Sequence, residues 1–201
     1  MDIVCLDLEG VLVPEIWINV ADRVGVPELR ATTRDIPDYD VLMRQRLALL
    51  KRHGLGLPDI QQVIAAMGPL PGAAEFLAWV REHYQLIILS DTFYEFAHPL
   101  MRQLGWPTLF CHRLEVAADG EITDYVLRQP DQKRAAVKRL HELNFKVVAA
   151  GDSYNDTGML QEADKGIFFD APAQVVAEFP QFAVTHSYAE LQAQIQSFMS
   201  S

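Results

Sequence analysis

Only two cysteines, Cys5 and Cys111, occur in 201 residues, and they form no CxxC pair. That excludes a disulfide framework and fits a reducing compartment. Positive charge is scarce too: 17 Lys and Arg against 27 Asp and Glu give a formal net charge of −10. Neither nucleic acid nor an anionic membrane surface is therefore an expected partner, and an anionic ligand would need a local site or a metal to overcome the field. No apolar run approaches the roughly 20 residues that cross a bilayer. The first residues show no basic start, and Asp2, Asp7 and Glu9 interrupt the one apolar stretch that a leader would need. The expected location is the cytoplasm.

Half of the residues are hydrophobic, enough for one domain with a sizeable core and room for a smaller insertion. Short apolar runs, IVCLDLEG, QLIILSDT, FKVVAAGDSYND and GIFFDAP, each end in a polar cluster. Such continuous runs suit strands buried on both faces of a parallel sheet. Between them GAAEFLAWVREH, FYEFAHPLMRQLG, DQKRAAVKRLHEL and NDTGMLQEA repeat apolar residues every three or four positions, as amphipathic helices do. The alternation predicts an α/β fold, a doubly wound parallel sheet. From about Pro14 to Leu70 three helical segments follow one another without a strand, which predicts a helical insertion after the first strand. Asp119-Gly120, inside LEVAADGEITDYVL, predicts a hairpin.

Ligands of open α/β sheets bind at the carboxyl ends of the strands. Three predicted strands end in chemistry: Asp7 and Glu9, then Ser90, Asp91 and Thr92, then Asp152, Ser153, Asn155 and Asp156. Asp7 and Glu9 stand two apart, so a strand continuing through them would point both to one face. Asp152 and Asp156 share a face if a helix starts near Ser153. Gathered carboxylates repel one another unless a cation holds them, and an all-oxygen set suits Mg²⁺. With Ser90 and Lys133 available, the set meets the needs of phosphoryl transfer, with Asp7 as nucleophile and Glu9 as acid and base.

In this order DLEGVLV, ILSDT, Lys133 and GDSYND resemble the four motifs of the haloacid dehalogenase superfamily of aspartyl-phosphate phosphatases. The insertion after the first motif resembles the cap of the phosphoserine phosphatase branch. DLEGVLVPE, ATTRDIPDYDVLM, SDTFYEF and AAGDSYND are similar to the subgroup that also transfers phosphate from phosphoserine to homoserine. The resemblance implies a Rossmann-like core at 1–13 and 71–201 with a cap at 14–70. It implies Asp7 as nucleophile and metal ligand, Glu9 as acid/base with a backbone carbonyl on Mg²⁺, and Asp152 and Asp156 around the metal. It further implies that Ser90, the Asp91 N–H and Lys133 hold phosphate, with Asn155 nearby, and that Arg46 grips the substrate carboxylate while Glu15 meets its amino group. Most of the superfamily has Asp where this chain has Glu9, whose extra methylene alters its reach.

Plainer readings compete. Ser90 can be a helix N-cap, Lys133 a solvated lysine, Arg46 part of a wet face with Arg44 and Arg52, and Glu15 an acid favoured in a first helical turn. Trp17, Trp79 and Trp106 fit packing better than a cofactor site. A phosphatase for another small phosphomonoester, or a module that binds a phosphorylated amino acid without turnover, remain the alternative functions.

Overall fold

The computed structural model describes residues 1–33, 35–36 and 38–200. Arg34 and Pro37, within the ATTRDIPDYDVLM segment, lie outside the described residues. Among these, a seven-stranded sheet runs in the order β4-β3-β2-β1-β5-β6-β7. Its strands are β1 (Asp2–Leu6), β2 (Gln85–Phe93), β3 (Leu109–Val116), β4 (Ile122–Val126), β5 (Lys146–Gly151), β6 (Lys165–Phe169) and β7 (Ala183–Thr185). All neighbours are parallel except the β3/β4 hairpin at one edge, which turns through Asp119-Gly120.

The continuous apolar runs are explained by what they touch. Along β1, Val4 and Leu6 enter one hydrophobic cluster while Ile3 and Cys5 enter the other. In β5, Val148 and Ala150 face the first cluster, Val147 and Ala149 the second. Successive side chains alternate between the faces, so a strand covered on both sides has no polar position to spare. On one face pack α4 (Ala73–His83), α5 (Tyr94–Gln103) and α9 (Tyr188–Met199), and on the other α6 (Gln132–Glu142), α7 (Thr157–Glu162) and α8 (Ala173–Glu178).

Between β1 and α4 lie α1 (Ile16–Val24), α2 (Tyr39–Arg52) and α3 (Leu57–Ala65), with a one-turn 3-10 segment at Pro27–Arg30. Helix α1 stops where Gly25 takes φ 71°, a left-handed conformation that glycine adopts without penalty. Helix α2 starts because the Asp38 side chain accepts from the N–H groups of Asp40 and Val41, and ends on Lys51 and Arg52 beside its carbonyl end. These helices share one apolar cluster with the sheet's helices; Trp17 meets Phe96 of α5 edge-on at 5.3 Å. No helix among the described residues is long and apolar enough to cross a membrane.

Two local expectations are corrected. β1 ends at Leu6, so Asp7 and Glu9 lie beyond the strand, Glu9 in an isolated bridge with Val13, and do not share one strand face. The segment after β5 opens with a 3-10 turn at Tyr154–Asp156, and α7 begins only at Thr157.

Candidate active site

β1 lies between β2 and β5, so the three polar clusters become neighbours at the carboxyl edge. Asp7 continues the ladder by donating its N–H to the Ala150 carbonyl at 3.0 Å, which fixes its backbone beside β5. Its side chain is buried, and Oδ1 accepts from the Leu8 N–H at 2.7 Å. Oxygen atoms of Asp7, Asp152 and Asp156 all lie within 4.8 Å of one another.

Two glycines make that approach feasible. Gly10 has φ +76°, and a Cβ there would stand 2.4 Å from the Asp152 carboxylate. A Cβ on Gly151 would stand 2.3 Å from the Asp156 carboxyl carbon. Each motif thus keeps a side chain off the space that an acid occupies.

Asp156 is fully buried and fully used: Oδ2 accepts from the Asp152 and Ser153 N–H groups at 3.0 and 3.1 Å, and Oδ1 from Lys133 at 2.7 Å. Lys133, second residue of α6 and 2 % exposed, also reaches Asp7 Oδ1 at 3.0 Å and Asp91 Oδ2 at 3.6 Å. The solvated-lysine reading is therefore wrong. Burial alone would lower the Lys133 pKa, but Asp156, Asp7 and Asp91 outweigh it and raise it well above the usual lysine value. Burial, then the charge of Asp156, pushes Asp7 well above the ordinary carboxylate range against Lys133, and the same two causes bring Asp152 to about 7. A set of buried oxygens that still repels itself with a lysine present fits a hard divalent cation such as Mg²⁺.

Glu9 does not join this group. Its Oε2 accepts from the Ile16 N–H at 2.8 Å, turning the carboxyl toward the insertion. Burial, then the charge of Glu15, raises its pKa to about 8, opposed by the Ile16 N–H and Arg46. A raised pKa suits the Glu9 carboxyl to deliver a proton as a general acid.

One cavity, about 170 Å³ in volume, is lined by Asp7, Glu9, Glu15, Arg46, Ser90, Asp91, Lys133, Asp152 and Asn155. Every site residue expected from sequence is in its wall except Asp156, which stands behind it. Arg46 is 7 % exposed, so the wet-face reading belongs to Arg44, not to it. Its guanidinium lies over the Trp17 ring at 4.4 Å and donates to the Ala31 carbonyl at 2.8 Å, while Nε is buried without a hydrogen-bond partner among the described residues. Burial lowers its pKa to about 10, with Tyr39, Glu9 and Glu15 opposing.

Ser90 caps no helix: β2 runs on to Phe93, where α5 has its N-cap, and Ser90 Oγ accepts from the Thr92 N–H at 3.2 Å. Asn155 donates to Asp91 Oδ2 at 3.0 Å. Sequence reasoning missed Tyr39, which lines the same cavity and whose hydroxyl donates to the Asp91 carbonyl at 3.4 Å. It also gave no role to Thr32 and Thr33, the adjacent threonines of the ATTRD segment, which line the same cavity.

A model of the haloacid dehalogenase-like hydrolases matches residues 1–164. The chain is similar to a phosphoserine phosphatase of Pseudomonas aeruginosa, ThrH, at 61% identity, with 95% of this chain and 93% of that protein covered. A phosphoserine phosphatase of Pseudomonas syringae pv. tomato is 60% identical over 95% of this chain and 81% of its own length. A substrate-bound phosphoserine phosphatase structure superposes with a TM-score of 0.78 at 19% identity, covering 96% of this chain and 97% of that one, which shows the shared fold.

Proposed function

We propose, from the premise that the chain belongs to the haloacid dehalogenase-like hydrolases, that it is a phosphatase acting on O-phospho-L-serine through an aspartyl-phosphate on Asp7. The observation that carries this reading is one cavity lined by two unlike groups, Asp7 with Lys133 and a buried Arg46 whose Nε has no partner among the described residues. A small substrate bearing a phosphate and a carboxylate suits both. Two relatives at 60% identity or more are phosphoserine phosphatases, which supports the choice of substrate.

Asp7 Oδ1 is engaged by Leu8 and Lys133, so Oδ2 is the oxygen free to attack phosphorus. In the first step the Asp7–phosphorus bond forms, the bond to the seryl oxygen breaks, and Glu9 protonates that oxygen. Glu9, now a carboxylate, then takes the proton of the next hydroxyl as its oxygen attacks phosphorus and Asp7 is released. Lys133, Ser90 and the Asp91 N–H hold the phosphate oxygens, with Asn155 near them; Arg46 grips the carboxylate and Glu15 the ammonium. Mg²⁺ held by Asp7, Asp152, Asp156 and the Glu9 carbonyl would supply neutralising charge to the phosphate oxygens. In this reading residues 14–70 are a cap over a core of 1–13 and 71–201, and the enzyme works in the cytoplasm, consistent with two free, buried cysteines.

Water is one acceptor and homoserine the second. Homoserine's hydroxyl stands one methylene farther from its α-carbon than serine's, and Glu9 reaches one methylene farther than Asp. Incubating the protein with Mg²⁺ and phosphoserine, with and without homoserine, and resolving free phosphate from phosphohomoserine tests both. Free phosphate is expected in each case, phosphohomoserine when homoserine is present, and a changed ratio of the two in Glu9→Asp. Turnover of other small phosphomonoesters but not phosphoserine would transfer the reading to them. Binding without turnover would make the chain a binding module.

A further inference from the structure

The side chain of Asp91 has no role in the chemistry above, yet four side chains from three elements converge on it. From α6, the Gln132 amide donates to Asp91 Oδ1 at 3.2 Å and also to the Ser90 carbonyl. The 3-10 turn after β5 contributes Asn155 at 3.0 Å, and α6 again contributes Lys133 at 3.6 Å. From β3, buried His112 faces Oδ1 with Nε2 at 3.6 Å. Its tautomer is fixed from behind, because Nδ1 accepts the Arg128 N–H at 3.1 Å, which leaves the proton on Nε2 toward Asp91.

Beyond this carboxylate is open space. A second cavity of about 200 Å³ is lined by Asp91, His112, Gln132, Lys133 and Asn155, and by residues of the loop before α6. Tyr39, Asp91, Lys133 and Asn155 line both cavities, so they form the partition between them. With open space next to it, this carboxylate is held beside Lys133 by His112, Gln132 and Asn155 as well as by the lysine's own charge. Burial by itself would raise its pKa, but Lys133 and the groups of His112, Asn155 and Gln132 keep it well below the usual carboxylate range.

We propose that the Asp91 carboxylate, braced by His112, is a positioning residue that limits how tightly Lys133 grips phosphate, so that the product leaves. The proposal rests on the phosphate-site reading above. A fixed negative charge close behind a phosphate-binding cation weakens the field that the cation presents to an anion in a site of reduced dielectric. Removing that charge strengthens binding in the ground state and slows release, which lowers KM and kcat together.

The test is titration calorimetry of inorganic phosphate with Mg²⁺ present, together with steady-state kinetics on phosphoserine and melting temperatures. Asp91→Asn is expected to bind phosphate about tenfold more tightly, with KM and kcat both reduced. His112→Phe, which frees the carboxylate to turn into the second cavity, should move the same quantities the same way by roughly threefold. His112→Gln, which keeps a donor facing Asp91, should restore values within about twofold of wild type. Phosphate affinity that is unchanged or weaker in Asp91→Asn overturns the proposal, as does a His112→Gln protein that folds normally yet behaves like His112→Phe. A wild-type protein that binds no phosphate overturns it together with the reading it rests on, whereas wild-type binding with insensitive variants overturns the proposal alone.

Discussion

Lys133 and Arg46 are both buried cations in the wall of one cavity, but their surroundings differ. Lys133 meets three carboxylates within 3.6 Å, and its acids are locked by backbone N–H groups at the ends of β1 and β5. Arg46 has one carbonyl, the Met43 sulfur and one aromatic face, and an Nε with no partner among the described residues. A buried donor left without a partner is costly, whereas acids bonded to backbone N–H groups hold their positions before any ligand arrives. The sheet edge thus carries its charges already arranged for chemistry, and the helical side holds a buried cation with few fixed partners. Preorganised groups serve the transition state; an unsatisfied one serves recognition.

Substitutions in the two groups should separate these roles. The largest effect is expected at the sheet edge: Asp7→Asn keeps shape but loses the attacking oxygen, so kcat should fall by about three orders of magnitude or more with phosphoserine affinity retained. Single-turnover kinetics would check this, and near-normal turnover would sink the covalent route. Next comes the helical side, where Arg46→Ala should raise KM for phosphoserine by about 100-fold and for phosphoethanolamine, which has no carboxylate, by less than about threefold. Because Ala also leaves a gap over Trp17, Arg46→Lys provides the control: it keeps the charge, loses the planar fork, and should still discriminate poorly between the two esters. Equal KM increases would remove Arg46 from carboxylate recognition. The smallest effect belongs to the solvent-exposed pairs that join α2 to β4, Arg44 with Asp124 and Asp40 with the Tyr125 hydroxyl. Asp124→Ala should shift the melting temperature by less than about 2 °C, since exposed ion pairs are screened and entropically costly.

The strands were legible because a strand buried on both faces must be apolar throughout, and IVCL, LIIL and KVVAA are. Their order was not, because an apolar run carries no mark of its neighbours. That β1 sits between β2 and β5, the fact that brings Asp7 to Asp152, comes from packing. The three residues of β7 and the C-terminal α9 went unread, the first being too short to show a period. Asp7, Glu9, Ser90, Asp152 and Asp156 could be found from clusters at strand ends. Arg46 could not be told from Arg44 and Arg52 by spacing, and only resemblance singled it out; its burial depends on Trp17, far away in sequence. In the sequence Lys133 reads as a phosphate-holding residue with a solvated lysine as the competing reading; the three acids that decide between them come from just past β1, from β2 and from the turn after β5. His112 and Gln132 carried no motif at all, and their role is visible only where β3 and α6 meet Asp91.

The central position of β1 also has a consequence for synthesis on the ribosome. One of its partners, β2, begins at Gln85, but the other, β5, begins at Lys146. Until more than two thirds of the chain has emerged, one long edge of an apolar strand has no partner, and Asp7 waits without the lysine and the aspartates that later surround it. Non-local pairing of this kind delays folding, and open strand edges attract other chains. The arrangement that gathers chemistry from both ends of the sequence at one point therefore also makes the nascent N-terminal half a natural client for chaperones.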